Sequence, residues 1–392
     1  MNATERYQAL YHSEPESISF CPYRVCPVGA HVDHQLGKVT GFALDKGIHF
    51  AYHPKRNGVI ELTSLNFSKR AQFHIHDVPE QKENDWADYL RGATLYLKLR
   101  HPLHTGIAGV IEGTLPIGGL SSSAAVILSF LQALCDVNRL RLPPDELIDI
   151  AQIAENKYVG VSCGKLDQSC EVLCKKGHLL YLDTKDGSYK LLPQPGNMPP
   201  FKIAIFFSGL DRALTGTQYN MRVDECRSAA YALKAYAGLP YGKFAETNLR
   251  EVPPEVFESF KGRLPEPWCR RAQHWFDEQN RVERAIVAWQ KGDLEEFGRI
   301  SFESGRSTID YWETGCPQMK TIYEIMTKTE GILGGRFSGA GFKGCCMALI
   351  RPEAAEAVAA QVTHDYLATY PELTGSFSVH ICDTASGINH KS

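Results

Sequence analysis

The pattern of apolar and polar positions predicts strands and helices that alternate, with long helices in the second half of the chain. Short apolar runs bounded by polar or glycine-rich segments are typical of strands, and apolar residues at intervals of three and four are typical of amphipathic helices. We expect strands at 38–52, 58–64, 106–111, 201–207, 345–350 and 377–381, and one more that begins near Arg24 and runs into a polar loop. We expect helices at 85–99, 121–137, 146–157, 220–236, 270–289 and 353–369.

A segment rich in proline and glycine, Leu192–Pro200, interrupts this pattern and predicts a linker. Because strands and helices occur on both sides of it, we expect an α+β protein of two domains, which comprise residues 1–197 and 198–392. The sequence contains no internal repeat and no low-complexity tract.

Composition and charge argue against several classes of protein. The 42 Lys and Arg residues against 45 Asp and Glu leave a net charge of -3, so the charge balance favours neither nucleic acid nor an anionic membrane as a partner. No apolar run is long enough to span a bilayer, and the polar stretch Met1–Tyr7 lacks the apolar region of a secretory signal. The 12 cysteines include no Cys-x-x-Cys pair, so we expect reduced thiols in a cytoplasmic protein.

The segment Gly118–Ala125, Gly-Gly-Leu-Ser-Ser-Ser-Ala-Ala, carries the strongest local signal. Glycines let the backbone approach an anion, and the N-terminus of the following helix presents free N–H groups. The pattern therefore indicates a phosphate-binding loop, although it lacks the lysine of a Walker A motif. The alternative is an ordinary helix start capped by serine.

A second glycine segment, Gly339-Ala-Gly-Phe-Lys-Gly344, matches the Gly-x-Gly-x-x-Gly fingerprint of dinucleotide-binding proteins. In those proteins the fingerprint follows a strand and opens a helix, whereas here it precedes the apolar run 345–350. The order argues against hydride chemistry. We expect instead a loop that packs closely against another loop and a ligand.

Two polar clusters contain the remaining candidates. Arg24, His31, Asp33 and His34 lie within eleven residues and suit a polyhydroxylated, anionic ligand. A metal site and a solvated loop are the alternatives. In the second cluster Asp167 is a candidate general base for a hydroxyl nucleophile, with a helix cap as its alternative reading.

Taken in order, these segments resemble the GHMP small-molecule kinases, and specifically their galactokinase branch, over nearly the whole chain. The motif Tyr23–His34, Tyr-Arg-Val-Cys-Pro-Val-Gly-Ala-His-Val-Asp-His, is similar to the galactokinase signature Gly-Arg-Val-Asn-Leu-Ile-Gly-Glu-His-Thr-Asp-Tyr. Leu115–Ala125 resembles the family's ATP phosphate loop, and Arg336–Cys345 its C-terminal glycine motif. Cys163–Gln168 and Gln218–Cys226 match two shorter family segments between them.

The resemblance implies a GHMP kinase fold with the active site in the cleft between two domains, the second with a ferredoxin-like core. It implies ATP and Mg²⁺ as cofactors, Asp167 as the base for an anomeric hydroxyl, and Arg24 as the stabiliser of the transferring phosphoryl group. Ser123 and Glu155 would hold magnesium. The implied nucleotide contacts are Gly118, Gly119, Leu120, Ser121, Ser122, Ser123 and Trp86, and the implied sugar contacts are Ala30, His31, Asp33, Gly164 and Tyr219.

One departure from the galactokinase signature bears on the substrate. Galactokinases have a glutamate where this chain has Ala30, and the resemblance implies that this glutamate binds the 6-hydroxyl of galactose. A uronic acid has a carboxylate there, and two charges about 4 Å apart at an effective dielectric of about 20 repel by about 4 kcal/mol. The motifs Pro22–His34, Phe207–Thr215 and Arg336–Cys346 also closely resemble those of plant galacturonokinases, so we expect galacturonate as the substrate.

Several alternatives stay open at this point. The protein could be a galactokinase, another sugar kinase of this fold, or a sugar sensor without catalytic activity. Arg212, Lys165 and His34 are candidates for the cation that faces the substrate's carboxylate. We expect a small-molecule sugar acid and ATP as partners, no nucleic acid or membrane, and a monomer or a weak homo-oligomer.

Overall fold

The computed structural model describes residues 1–210 and 216–388, and its first half is built on one large sheet. The strands of this half are β1 (Ser17–Val25), β2 (Lys38–Lys55), β3 (Val59–Ser64), β4 (Ala71–His74), β5 (Gly106–Gly113), β6 (His178–Asp183) and β7 (Tyr189–Pro193). The helices are α1 (Ala3–Tyr11), α2 (Asp88–Lys98), α3 (Ser122–Val137), α4 (Pro144–Ile153) and α5 (Leu166–Leu173).

The long strand β2 organises this sheet, whose order is β4-β3-β5-β2-β6-β7. Strand β1 pairs along most of its own length with β2. It ends with Arg24 and Val25 in antiparallel register with Ala43 and Phe42. Helix α3 packs against β1 and β2. The helix that follows the first glycine loop is thereby held against the strand that carries Arg24.

The second half contains long helices and a smaller sheet. Its helices are α6 (Gly216–Tyr236), α7 (Pro254–Phe260), α8 (Glu266–Lys291), α9 (Leu294–Ser307), α10 (Pro317–Met326) and α11 (Ala355–Thr369). Its strands are β8 (Lys202–Phe207), β9 (Ile332–Phe337), β10 (Cys345–Ile350), β11 (Ser378–Cys382) and β12 (Thr384–Ala385). Proline in the first turn starts α7 and α10, and Gly292 in the left-handed conformation ends α8.

The smaller sheet, β11-β8-β10-β9, is antiparallel and buried on both faces. Alternate residues of β8 and β10 point to opposite sides. Ile203, Ile205 and Met347 join the large core that includes the first half of the chain. Phe206 and Ala348 join a second core with α10 and α11. This double burial explains why both strands read as continuous apolar runs.

The predicted elements are present, but many of their boundaries were wrong by a few residues. Helices α6 and α8 each begin four residues before the predicted start, and the strand expected to begin near Arg24 is β1, which ends one residue after it. Residues Leu192 and Pro193 belong to β7, so the predicted linker begins two residues later. The helix predicted at 146–157 changes at Ala154 into a π-helical turn, Ala154–Val159. Hydrophobic periodicity does not distinguish the two helix types, so the sequence could not predict this change. The last helix is preceded by a 3₁₀ turn, Pro352–Ala354.

The chain returns to its first sheet near the end. After β11, the short strand β12 pairs with Leu44 and Ala43 of β2. The division into residues 1–197 and 198–392 stays a prediction. Within residues 1–210 and 216–388, no helix is both long enough and apolar enough to cross a bilayer, and all 12 cysteines of the chain are free.

Helix α9 and strand β9 touch through their backbones. A methyl group on Gly334 would lie 2.1 Å from the carbonyl oxygen of Gly298, and one on Gly298 would lie 2.3 Å from the carbonyl oxygen of Leu333. We expect Gly334→Ala to lower the free energy of unfolding by about 1–3 kcal/mol, since the helix and the sheet must separate. Urea denaturation measures the change.

Gly196→Ala is the matched control, because its added methyl group would meet no described atom within 4 Å. We expect it to change the free energy of unfolding by less than about 0.5 kcal/mol. Equal stabilities of the two variants would contradict the backbone contact between α9 and β9.

Candidate active site

The first glycine loop leads directly into α3. Gly118 and Gly119 have φ values of 146° and 84°, and Ser121 is also left-handed, with φ 58°. The Ser121 side chain makes no capping hydrogen bond to α3, and its buried hydroxyl has no partner within the described residues. The structure therefore argues against the simple capped helix start and leaves an anion cradle at the N-terminus of α3.

The second glycine segment packs against this loop, as the sequence predicts. A methyl group on Gly339 would lie 2.8 Å from the Gly119 Cα, and one on Gly344 would lie 2.9 Å from the Gly118 carbonyl carbon. The buried hydroxyl of Ser338, beside this segment, has no partner in the described parts of the chain. Only glycine allows two backbones to approach this closely.

Next to the loop, Ser123 and Glu155 form a small oxygen cluster. The Ser123 hydroxyl donates to Glu155 Oε1 at 2.7 Å, and Gln168 Nε2 donates to Glu155 Oε2 at 2.9 Å. No set of three His, Cys, Asp or Glu side chains in the described residues is arranged to hold a metal ion. Two hard oxygen ligands beside the first glycine loop fit Mg²⁺, which in proteins usually keeps waters and phosphate oxygens as its other ligands.

An aromatic pocket adjoins this cluster. Trp86 lies parallel to Phe67 at 6.0 Å between ring centroids, and its indole N–H donates to the Lys69 carbonyl at 2.6 Å. Ser122 and Ser123 line the same pocket. A mostly apolar pocket that contains aromatic rings and lies beside the first glycine loop suits a nucleotide base, since bases stack on aromatic rings.

Arg24 and Asp167 meet beside the same loop. Arg24 Nε donates to Asp167 Oδ1 at 2.7 Å, and its Nη1 donates to the Gly119 carbonyl at 3.2 Å. Burial lowers the pKa of the Arg24 guanidinium, but the charge of Asp167 and the hydrogen bond to it raise that pKa well above its ordinary value. Arg24 therefore stays charged and joins the carboxylate to the glycine loop.

Asp33 lies close to the same carboxylate. Its Oδ2 accepts from the Leu166 backbone N–H at 3.2 Å, and a methyl group on Gly164 would lie 2.3 Å from that oxygen. Burial, and then repulsion by Asp167, raise the pKa of Asp33 to about 6. Glycine at 164 thus lets the Asp33 carboxylate reach the backbone beside Asp167.

Aromatic rings form the wall beyond Asp33. His31 stacks on Trp312 at 5.0 Å with an interplanar angle of 8°, and Tyr219 approaches Trp312 edge-on at 6.4 Å. Burial, and then the charge of Asp33, raise the pKa of the Tyr219 hydroxyl well above its ordinary value. Ala30 precedes His31 and is buried, and its carbonyl lies 3.1 Å from His274 Nε2.

The predicted cations have different surroundings. Lys165 donates to Asp149 at 2.6 Å and is half-exposed, so its charge is already paired. Burial, and then the charge of Arg227, lower the pKa of His34 to about 3, so its imidazole is neutral near pH 7. Arg212 lies outside the described residues.

Sequence reasoning missed four residues that border these features: Trp312, His274, Phe67 and Gln168. Gln168 lies in the segment Cys163–Gln168, which resembles a family segment, but no role was assigned to it. The other three belong to no motif that indicates chemistry. Long-range packing brings the other three to the site, and one sequence does not reveal such contacts.

Both halves of the chain match one protein family. Residues 88–175 match the family described as GHMP kinases N terminal domain, and residues 284–368 match GHMP kinases C terminal. The structure of Lactococcus lactis galactokinase complexed with galactose superposes with a TM-score of 0.87 at 28% identity, covering 98% of this chain and 97% of that one. The structure of Methanococcus jannaschii mevalonate kinase superposes with a TM-score of 0.62 at 14% identity, covering 94% and 98%, and is similar in fold alone.

Curated relatives align along almost the full chain. Galacturonokinase from Arabidopsis thaliana is 38% identical over 390 residues, covering 93% of this chain and 91% of that protein. Galactokinase from Roseiflexus sp. is 30% identical over 387 residues, covering 98% and 95%. The fold, both domain matches and these full-length likenesses agree, and the chain belongs to the GHMP kinase family.

Proposed function

We propose that this protein is an ATP-dependent sugar 1-kinase that converts D-galacturonate to galacturonate 1-phosphate and ADP. One observation carries the proposal: the Arg24–Asp167 pair, at 2.7 Å, is hydrogen-bonded to the glycine loop through Gly119. A carboxylate at the edge of an anion cradle suits transfer of a phosphoryl group to a hydroxyl. The matches to sugar kinases along the whole chain support the same activity.

Asp167 acts as the general base in this proposal. Its carboxylate takes the proton of the C1 hydroxyl as that oxygen forms a bond to the γ-phosphorus of ATP. The bond between the γ-phosphorus and the bridging oxygen breaks, and ADP leaves. Arg24 orients Asp167 and places positive charge beside the transferring group, so the chain contributes chiefly position and charge.

The nucleotide occupies the features next to this pair. The backbone of Gly118–Ser122 surrounds the phosphates, and the base enters the pocket of Trp86 and Phe67. The oxygens of Ser123 and Glu155 would hold Mg²⁺, which would neutralise phosphate charge. GHMP sugar kinases use ATP as a substrate, and the donor set of this chain fits that use.

The sugar lies between Asp167 and the aromatic wall. Asp33 and His31 supply hydrogen-bonding groups for hydroxyls, Tyr219 supplies a phenol, and Gly164 leaves room beside Asp33. At position 30 the methyl group of alanine neither repels a substrate carboxylate nor fills its space. That difference from the galactokinase signature, together with the likeness to a galacturonokinase, supports galacturonate over galactose.

The test of this function is a coupled ADP-release assay with ATP, Mg²⁺ and four free sugars: galacturonate, glucuronate, galactose and arabinose. We expect the highest kcat/KM with galacturonate. Galactose ahead of galacturonate would make the protein a galactokinase. Binding of ATP and sugar without any ADP release would make it a sensor.

Replacing the base tests the mechanism. We expect Asp167→Asn to lower kcat by about 10²–10⁴, the range of general-base catalysis, because the amide cannot take the proton. Single-turnover assays measure the rate, and calorimetry with a non-hydrolysable ATP analogue measures nucleotide binding, which we expect to persist. Asp365→Asn on α11 is the control for the same chemical change away from the site. Loss of nucleotide binding in Asp167→Asn would mark Asp167 as structural.

Restoring the acidic residue of the galactokinase signature tests the substrate. We expect Ala30→Glu to lower kcat/KM for galacturonate by up to about three decades, the equivalent of about 4 kcal/mol of charge repulsion. Ala30→Gln is the matched control, because it adds nearly the same volume without the charge. An equal loss in both variants would attribute the effect to size and contradict the electrostatic explanation.

A further inference from the structure

A substrate carboxylate needs hydrogen-bond donors that are not already engaged. Around the proposed sugar site, the described cations are mostly committed to other groups. Asp167 holds Arg24, and Asp149 holds Lys165. Arg336 is fully buried and donates to the hydroxyls of Ser304 and Thr308. Alanine at position 30 leaves out the negative charge of the galactokinase glutamate. None of these three cations, however, is free to bind a substrate carboxylate.

His34 has unused donor capacity. The side chain is only 9% exposed, and neither of its buried ring nitrogens makes a hydrogen bond of normal geometry to a described residue. The backbone groups of His31 and His34 near the ring only partly offset the effect of burial on its pKa. The ring approaches Tyr219 edge-on at 6.0 Å and Trp312 at 5.4 Å. An imidazole left unpartnered in a closed site is costly unless a ligand completes its bonds. At this position the galactokinase signature has tyrosine instead.

Arg227 supplies positive charge behind His34. It lies on α6, which packs against the short helix Asp33–Gln35, and its buried Nε has no partner within residues 1–210 and 216–388. Its Nη1 donates to Asp224 at 3.1 Å, but that carboxylate is 60% exposed. An exposed partner competes weakly for the guanidinium.

We propose that His34, backed by Arg227, receives the carboxylate of the uronic acid substrate. This inference rests on the proposed function and adds the residues that recognise the acid group. A neutral imidazole donates one N–H to a carboxylate oxygen, and the negative charge offsets the charge of Arg227. With a galactose hydroxyl, exposed Asp224 would stay the only anionic partner of Arg227 that the structure describes, so the pair favours an acid over a neutral sugar.

The experiment compares kcat/KM for galacturonate and for galactose in wild type, Arg227→Gln and His34→Tyr. We expect the ratio of the two values to fall at least about tenfold in both variants, since each removes part of a buried charge interaction. Arg227→Lys keeps the charge, and we expect it to recover part of the ratio. The dissociation constant of galacturonate, measured by calorimetry, is the second readout.

Two control variants separate a local effect from a general loss of positive charge. Lys234→Gln removes a cation of the same helix that is paired with Glu251, and Lys165→Gln removes the cation paired with Asp149. We expect both to leave the ratio within about twofold of wild type. A fall confined to Lys165→Gln would overturn the inference and assign the carboxylate to that lysine.

The remaining outcomes also discriminate. If wild type uses galacturonate and neither variant changes the ratio or the dissociation constant, the inference fails and the proposed function stands. If wild type does not use galacturonate at all, both fail together. Binding of a non-hydrolysable ATP analogue verifies that each variant is folded. Should His34→Tyr fail that check, the partly exposed Arg227→Gln decides the outcome.

Discussion

The pair of Arg24 and Asp167 is the interaction on which the arrangement of the site depends. Arg24 is 3% exposed at the end of β1, and leaving such a charge without its partner costs about 3–5 kcal/mol. The same guanidinium binds the Gly119 carbonyl, so one side chain fixes the carboxylate relative to the glycine loop. Glu171, one turn beyond Asp167 on α5, is fully buried, and burial raises its pKa well above the ordinary value. The raised pKa disfavours the ionised form of Glu171, which would otherwise compete with Asp167 for Arg24.

The site also requires contact between distant parts of the chain. The loop around Gly119 belongs to the first half, and the loop around Gly339 joins β9 to β10. Strands β9 and β10 hold this second loop in place, because one face of the smaller sheet packs in the same core as the first half of the chain. Backbone contact between the glycines then leaves no room for side chains. The conformation of the first glycine loop is consequently a product of the packing of both sheets and not of one local motif.

The features that could be predicted from the sequence were those set by local pattern or by chemistry. The strand Cys345–Ile350 was predicted to the residue, because burial on both faces gives an unbroken apolar run. The π-helical turn that contains Glu155 was not predicted, since the spacing of apolar residues is nearly the same in an α-helix. The Lys165–Asp149 pair and the stacking of His31 on Trp312 depend on tertiary packing. Ion pairs and aromatic contacts between distant residues cannot be predicted from a single sequence.

In the proposed function, selection of an acid over a neutral sugar has two physical parts. Alanine at position 30 would remove a repulsive charge, which by itself only stops the site from rejecting a carboxylate. Preference requires an attractive element whose satisfaction depends on that carboxylate. In our proposal His34 meets this requirement, because a carboxylate both accepts from its imidazole and offsets the charge of Arg227, whereas a neutral hydroxyl only accepts. Such a site would prefer galacturonate for two reasons: the acid binds the donors, and galactose leaves the interactions of the site incomplete.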